Sequence, residues 1–149
     1  MYKDFIDKQS AKVKNVVERG AVKKFAEAIG DAHPIFIDEG FGKASIYKTN
    51  IAPPTFPRVL EFGRIEGLIL PEKGLIHGEQ IYKYERPLLV GEEISCYSKV
   101  ENYVEKKGST GSMGFLTISE NGEDSNGKLI FSSKLVVIIT EAVRKGLMT

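Results

Sequence analysis

Three long runs dominate the second half of the chain: Ile94 to Val104, Ser112 to Ser119 and Leu129 to Thr140. They are rich in β-branched and aromatic residues and read as strands. The turn sequences between them are Lys106-Lys107-Gly108-Ser109 and Asn121-Gly122-Glu123-Asp124-Ser125-Asn126-Gly127. Long strands joined this way predict an antiparallel meander. A fourth run, Glu79 to Arg86, is ended by Pro87 and Gly91 and reads as another strand. One face of such a sheet needs an apolar cover. That need constrains the first half of the chain.

Two segments there have helical period. Ala21, Val22, Phe25, Ala26 and Ile29 fall on one face, and Gly30 sits where a glycine ends a helix, so a helix is expected over about 20–29. Residues 31–54 keep no period. Ala52-Pro53-Pro54-Thr55-Phe56-Pro57 then reads as a helix entrance, with Thr55 as N-cap and Pro57 in the first turn. Apolar residues from Phe56 to Ile69 point to a buried helix running to about Leu70, stopped by Pro71 and Gly74. Residues 1–8 suggest a short helix or an ordered arm, and 11–18 an extended lead-in. The expected class is α+β: an antiparallel sheet wrapped around one long buried helix, in a single domain over residues 1–149.

Composition excludes several functions. With 21 Lys+Arg against 20 Asp+Glu, the net charge of +1 gives no reason to expect nucleic acid or a membrane surface as partner. Cys96 is the one cysteine and cannot form an internal disulfide; with two histidines it makes no structural zinc set, so no metal is expected. Gly63 and Gly67 have the spacing of a membrane-helix contact, but Arg64 and Glu66 lie inside it. No apolar run approaches a membrane span, and the N-terminus mixes acids and bases unlike a signal peptide, so a cytoplasmic protein is expected.

Gly30-Asp31-Ala32-His33-Pro34-Ile35-Phe36-Ile37-Asp38, followed by 52–57, His77-Gly78-Glu79-Gln80, Arg86-Pro87 and Gly91-Glu92, resembles the MaoC-like dehydratases, or type 2 enoyl-CoA hydratases. The likeness is to the N-terminal-type MaoC dehydratase domain, which includes the substrate-binding subunit of (3R)-hydroxyacyl-carrier-protein dehydratases. It covers about residues 12–140 and implies the hotdog fold. It also implies a fatty-acyl thioester carried on coenzyme A or an acyl carrier protein, no other cofactor, and a homodimer or a heterodimer with a second hotdog subunit.

The reaction adds water across a conjugated double bond, or removes it. It needs a base, a proton donor and N–H groups aimed at the thioester oxygen. By the resemblance, Asp31 stands at the motif Asp, His33 at the motif Asn, Phe36 at the motif His and Asp38 at a final, structural acid. Phe36 does no acid–base work, so His33 or His77 is left to assist Asp31. His33 also reads as a turn cap, Asp31 as a turn residue bonded to backbone, and His77 as a strand-end residue. Three prolines in 53–57 donate no N–H. An oxyanion donor there comes from Thr55, Phe56, Arg58 or Val59, with Thr55 and Phe56 favoured.

Gln80 is a candidate for contact with the thioester or a water. Arg58 and Arg64, with Lys43 and Lys48, are candidates for carrier phosphates, the arginines better suited because they bind phosphate through two N–H groups. Solvated surface charge is the plainer account of all four. Tyr82 and Tyr84 share a strand face and either line an acyl channel or pack the sheet. Cys96 reads as a small strand residue. Three functions follow: a hydratase or dehydratase, a binding subunit for acyl thioesters, or a thioesterase using Glu61 or Glu66 on the buried helix.

Overall fold

The computed structural model describes residues 1–109 and 111–146. Its frame is a five-stranded antiparallel sheet in the order β1-β3-β4-β5-β2. The strands are β1 (Val13–Val16), β2 (Ile76–Tyr84), β3 (Glu93–Gly108), β4 (Gly111–Glu123) and β5 (Leu129–Thr140). The helices are α1 (Arg19–Ala28), α2 (Pro34–Ile37), α3 (Glu39–Ala44) and α4 (Glu141–Gly146), with 3-10 turns at Tyr2–Phe5 and Phe56–Val59.

The meander is present, with longer strands than the turn signals allow. β3 runs on through Lys106-Lys107-Gly108, and β4 takes in Asn121-Gly122-Glu123. The connection to β5 is therefore short. Asp124 closes it, its carboxylate accepting from the amides of Asn126 and Lys128 at 2.8 and 2.9 Å. β2 starts at Ile76, three residues before the expected Glu79, because a bulge between His77 and Glu79 carries the pairing with β5 past Gly78.

α1 ends where Gly30 predicted. Gly30 takes a positive φ of 74° and donates to the carbonyl of Glu27, while Asp31 donates to that of Ala26. This is a Schellman cap, which needs a left-handed residue and so favours glycine.

The expected long helix over 56–70 does not form. Only Phe56–Val59 makes a turn, and 61–70 crosses the sheet as irregular chain. Gly63 and Gly67 both adopt positive φ, 76° and 79°, and each breaks a right-handed helix. The apolar spacing was real but reflects chain lying over a core. Phe62 packs into one apolar cluster and Ile65 into another. The helix that covers the sheet is α1 instead, through Val22 and Ala26.

The core is divided in two. One cluster lies under α1 and the 31–38 loop and includes Phe36, Phe56, Phe62, Cys96 and Phe131. The other lies under the N-terminal turn and 65–70 and includes Tyr2, Val100, Leu116, Ile118 and Leu135. Strand register explains the division. Across the covered face, Cys96, Gly122, Phe131 and Tyr84 align in one cross-strand row, and Val100, Ile118, Leu135 and Gln80 in another. Between them lies a polar row: Ser98, Glu120, Ser133 and Tyr82. Among the described residues, no helix is long and apolar enough to cross a membrane.

Candidate active site

The 31–38 loop is built around one buried side chain that sequence reasoning passed over. Asn50 is 1% exposed. Its Nδ2 donates to the carbonyls of Ile35 and Asp38 at 2.9 and 2.8 Å, and its Oδ1 accepts from the guanidinium of Arg19 at 2.5 Å. Arg19 also pairs with Glu39 at 3.5 Å. Asn50 thus ties α1, the motif loop and α3 together. Nothing in the local sequence marks it, because its partners lie 12 to 31 residues away.

The neighbouring segment is tied to the strands. The amide of Ile51 donates to Ile35, that of Ala52 to Leu88, and the Tyr84 hydroxyl to the carbonyl of Pro54 at 2.6 Å. Arg86 grips Glu92 through two bonds of 2.8 Å, and Glu92 also accepts from the Leu89 amide. That pair closes the 87–91 turn and accounts for the Arg86-Pro87 and Gly91-Glu92 signals. These ties frame an apolar cavity of about 420 Å³, walled by Ile35, Phe36, Ile51, Ala52, Pro54 and Tyr84.

The sequence candidates fall around it unevenly. Asp31 is exposed beside the α1 cap, with no side-chain partner among the described residues. His33 caps α2: its Nδ1 accepts from the Ile35 amide at 3.0 Å. That bond puts the neutral ring's proton on Nε2, so neither nitrogen has a lone pair free for a base while the cap stands. Asp38 caps α3 through the Phe41 amide at 3.0 Å. Phe36 is 7% exposed and belongs to the core.

His77 lies apart. It is exposed at the start of β2, seven residues from Tyr84, or roughly 23 Å along an extended strand. Within one chain it does not join Asp31 and His33. At the 55–59 turn, the Phe56 amide already donates to Pro53 at 2.9 Å and the Arg58 amide to Thr55 at 3.1 Å. The Thr55 amide has no acceptor among the described residues and stands next to Pro54 in the cavity wall. Of the two favoured donors, Thr55 therefore stays available and Phe56 does not.

Gln80 turns inward on β2 and donates to the Ser133 hydroxyl at 2.5 Å. Tyr82 and Tyr84 share its face, as expected. Arg58 is exposed, and its charge acts on both Tyr82 and Glu120. Cys96 is buried and burial pushes its thiol up to about 12, so it stays protonated and is no nucleophile. Glu61 and Glu66 are exposed, and without the 56–70 helix the helix-carboxylate arrangement of a thioesterase is not assembled.

Glu120 was also missed, being one acid inside a strand. Burial raises its carboxyl above the ordinary range, against the opposing pull of Arg58. Below the unfolded-state value the group is protonated in both states and costs nothing. As pH rises through the higher folded value, folding must keep a charge from water, and stability falls. Glu120→Gln is therefore expected to raise the unfolding midpoint near neutral pH and to lose that advantage in acid. Thermal unfolding across a pH series measures this; an advantage undiminished in acid would contradict it.

The architecture described above is that of the hotdog dehydratases and hydratases. Residues 4–133 match the family described as FAS1-like, dehydratase domain region, and the chain belongs to it. A protein of Streptomyces griseus named UPF0336 protein is 31% identical over 134 residues, 84% of this chain and 86% of its own length. Among solved structures, the C-terminally truncated HadBC (3R-hydroxyacyl-ACP dehydratase) complex of Mycobacterium tuberculosis aligns with a TM-score of 0.79 at 18% identity, covering 93% of this chain and all of that one. The ChsH1-ChsH2 complex of the same organism aligns at 0.71 with 20% identity, covering 87% and 83%.

Proposed function

We propose that this chain is the acyl-thioester-holding half of a two-subunit hotdog hydratase or dehydratase. The observation that carries this is Phe36. It stands where the family motif has its histidine, and it is packed into the core. The remaining motif groups do not replace it: His33 is committed to a cap and His77 lies at the other end of β2. What the site does offer is an apolar cavity with the Thr55 amide near its wall. That suits an acyl chain whose thioester oxygen is held by a backbone N–H. A catalytic partner would supply the acid–base pair.

The partner's seat in this reading is β2. Among the described residues no strand pairs with the outer edge of its nine residues, and Ile76 and Ile81 are exposed on it. A second hotdog sheet joined there would satisfy that edge. Two of the similar solved structures, HadBC and ChsH1-ChsH2, are complexes, which supports a partner of the same fold.

Calorimetric titration tests the binding half of this function. Decanoyl-CoA is expected to bind and free CoA to bind far more weakly. Ile35→Phe, which narrows the cavity, is expected to weaken decanoyl-CoA by about tenfold, roughly 1.4 kcal/mol. Equal binding of CoA and decanoyl-CoA would remove the acyl reading.

A further inference from the structure

The polar row across the covered face of the sheet is the least explained feature of the molecule. Ser98, Glu120, Ser133 and Tyr82 sit on four adjacent strands in direct register, with apolar clusters on either side. Polar groups withdrawn from water cost free energy unless they are hydrogen-bonded. Ser133 accepts from Gln80, but the rest of the row is poorly satisfied. Among the described residues the buried Tyr82 hydroxyl has no partner, nor does the buried Oε1 of Gln80 in the adjoining row. Glu120 is half-buried, and its carboxyl and the Ser98 hydroxyl, both facing a cavity, have no side-chain hydrogen bond among the described residues. A second cavity, of about 550 Å³, opens on this row at Ser98 and Glu120. Its other walls are largely the irregular 62–72 segment, where Phe62, Ile65, Leu68, Ile69 and Leu70 are apolar and Arg64 and Glu72 are charged.

We propose that this second cavity binds the distal part of an acyl chain that carries one hydroxyl or carbonyl oxygen, held by Glu120 and Ser98. The apolar walls take the hydrocarbon on either side of that oxygen. The row spaces its polar groups about 4.8 Å apart from strand to strand, and the apolar rows lie about 6.6 Å to each side. A plain hydrocarbon would leave the polar row unsatisfied, whereas a hydroxyl can both donate to and accept from it. A protonated Glu120 acts as donor to a carbonyl; an ionised one accepts from a hydroxyl. Its lining shares no residue with that of the Phe36 cavity, and it would set which acyl chains the protein selects. It rests on the acyl-thioester reading above.

The test is a titration of the full chain with decanoyl-CoA and with its mono-hydroxylated isomers, the hydroxyl moved carbon by carbon along the chain. One isomer, or two neighbouring ones, is expected to bind about tenfold tighter than the unsubstituted chain, the effect of one added hydrogen bond to Glu120 or Ser98. Glu120→Leu should reverse the preference, favouring plain decanoyl-CoA, and Ser98→Ala should reduce it. Glu120→Gln, expected to be at least as stable as the parent near neutral pH, guards against a folding defect; it keeps a donor and an acceptor and should retain the preference. Isomers that all bind like decanoyl-CoA would overturn the inference and leave the acyl reading standing. A preference untouched by Glu120→Leu and Ser98→Ala would also overturn it. No binding of any acyl-CoA would overturn both.

Discussion

Asn50→Ala is expected to destabilise the protein by about 3 kcal/mol, roughly 10 °C in unfolding midpoint for a chain of this size. The side chain is buried and gives two good hydrogen bonds to backbone carbonyls of the motif loop. Alanine removes those donors but leaves the carbonyls of Ile35 and Asp38 in place, and it deprives Arg19 of its acceptor. The cost of unpaired buried acceptors exceeds the modest net value of the bonds themselves. Asn50→Asp tests the mechanism further. It is isosteric, yet sets a carboxylate against the same two carbonyls, so it should be worse than alanine near neutral pH and recover in acid. Arg19→Met loses the bond to Asn50 and the pair with Glu39, both made by a partly exposed guanidinium, and should cost about 1 kcal/mol. Denaturant unfolding of the three variants gives the order. A cost for Asn50→Ala no larger than for Arg19→Met would show that the loop is held by something else.

The contrast between Asn50 and the motif bears on what a sequence discloses. Local rules worked where structure is local. α1 ended at Gly30 because a left-handed cap needs the residue that tolerates it. β5 matched its expected span because strand-forming residues fill it from Leu129 to Thr140. The same reasoning failed at 56–70, where spacing alone suggested a helix. Phe62 and Ile65 are apolar because they press on two different clusters, and the glycines between and after them turn the chain. The candidate site divides in the same way. The motif drew attention to the 31–38 loop, which Asn50 holds through the carbonyls of Ile35 and Asp38. Asn50, Arg19 and the Ser98-Glu120-Ser133-Tyr82 row depend on register between distant segments, and no window of sequence contains it.

The largest functional effect is expected on mixing. Alone, the chain should hydrate crotonyl-CoA at least about a thousandfold more slowly than an equimolar mixture with a hotdog subunit whose motif keeps both Asp and His. General acid–base catalysis by a placed side chain contributes about a hundredfold to ten-thousandfold, and in the proposed reading Phe36 stands at the position of that group. Its own imidazoles do not fill the gap. The His33 Nδ1 accepts from the Ile35 amide, and protonating it would break the α2 cap. No hydrogen bond or ion pair among the described residues joins His77 to Asp31 or His33. Loss of enoyl absorbance, followed while the partner is titrated in, should rise to a plateau at one partner per chain. If thiol appears instead, the reaction is hydrolysis and the dehydratase reading fails. Strong turnover by the lone chain that disappears in Asp31→Ala would return the acid–base role to this subunit. In that event the exposed carboxylate beside the α1 cap would have to work with an imidazole from a second copy, and His77, displayed at the unpaired edge of β2, is the one such a copy could bring.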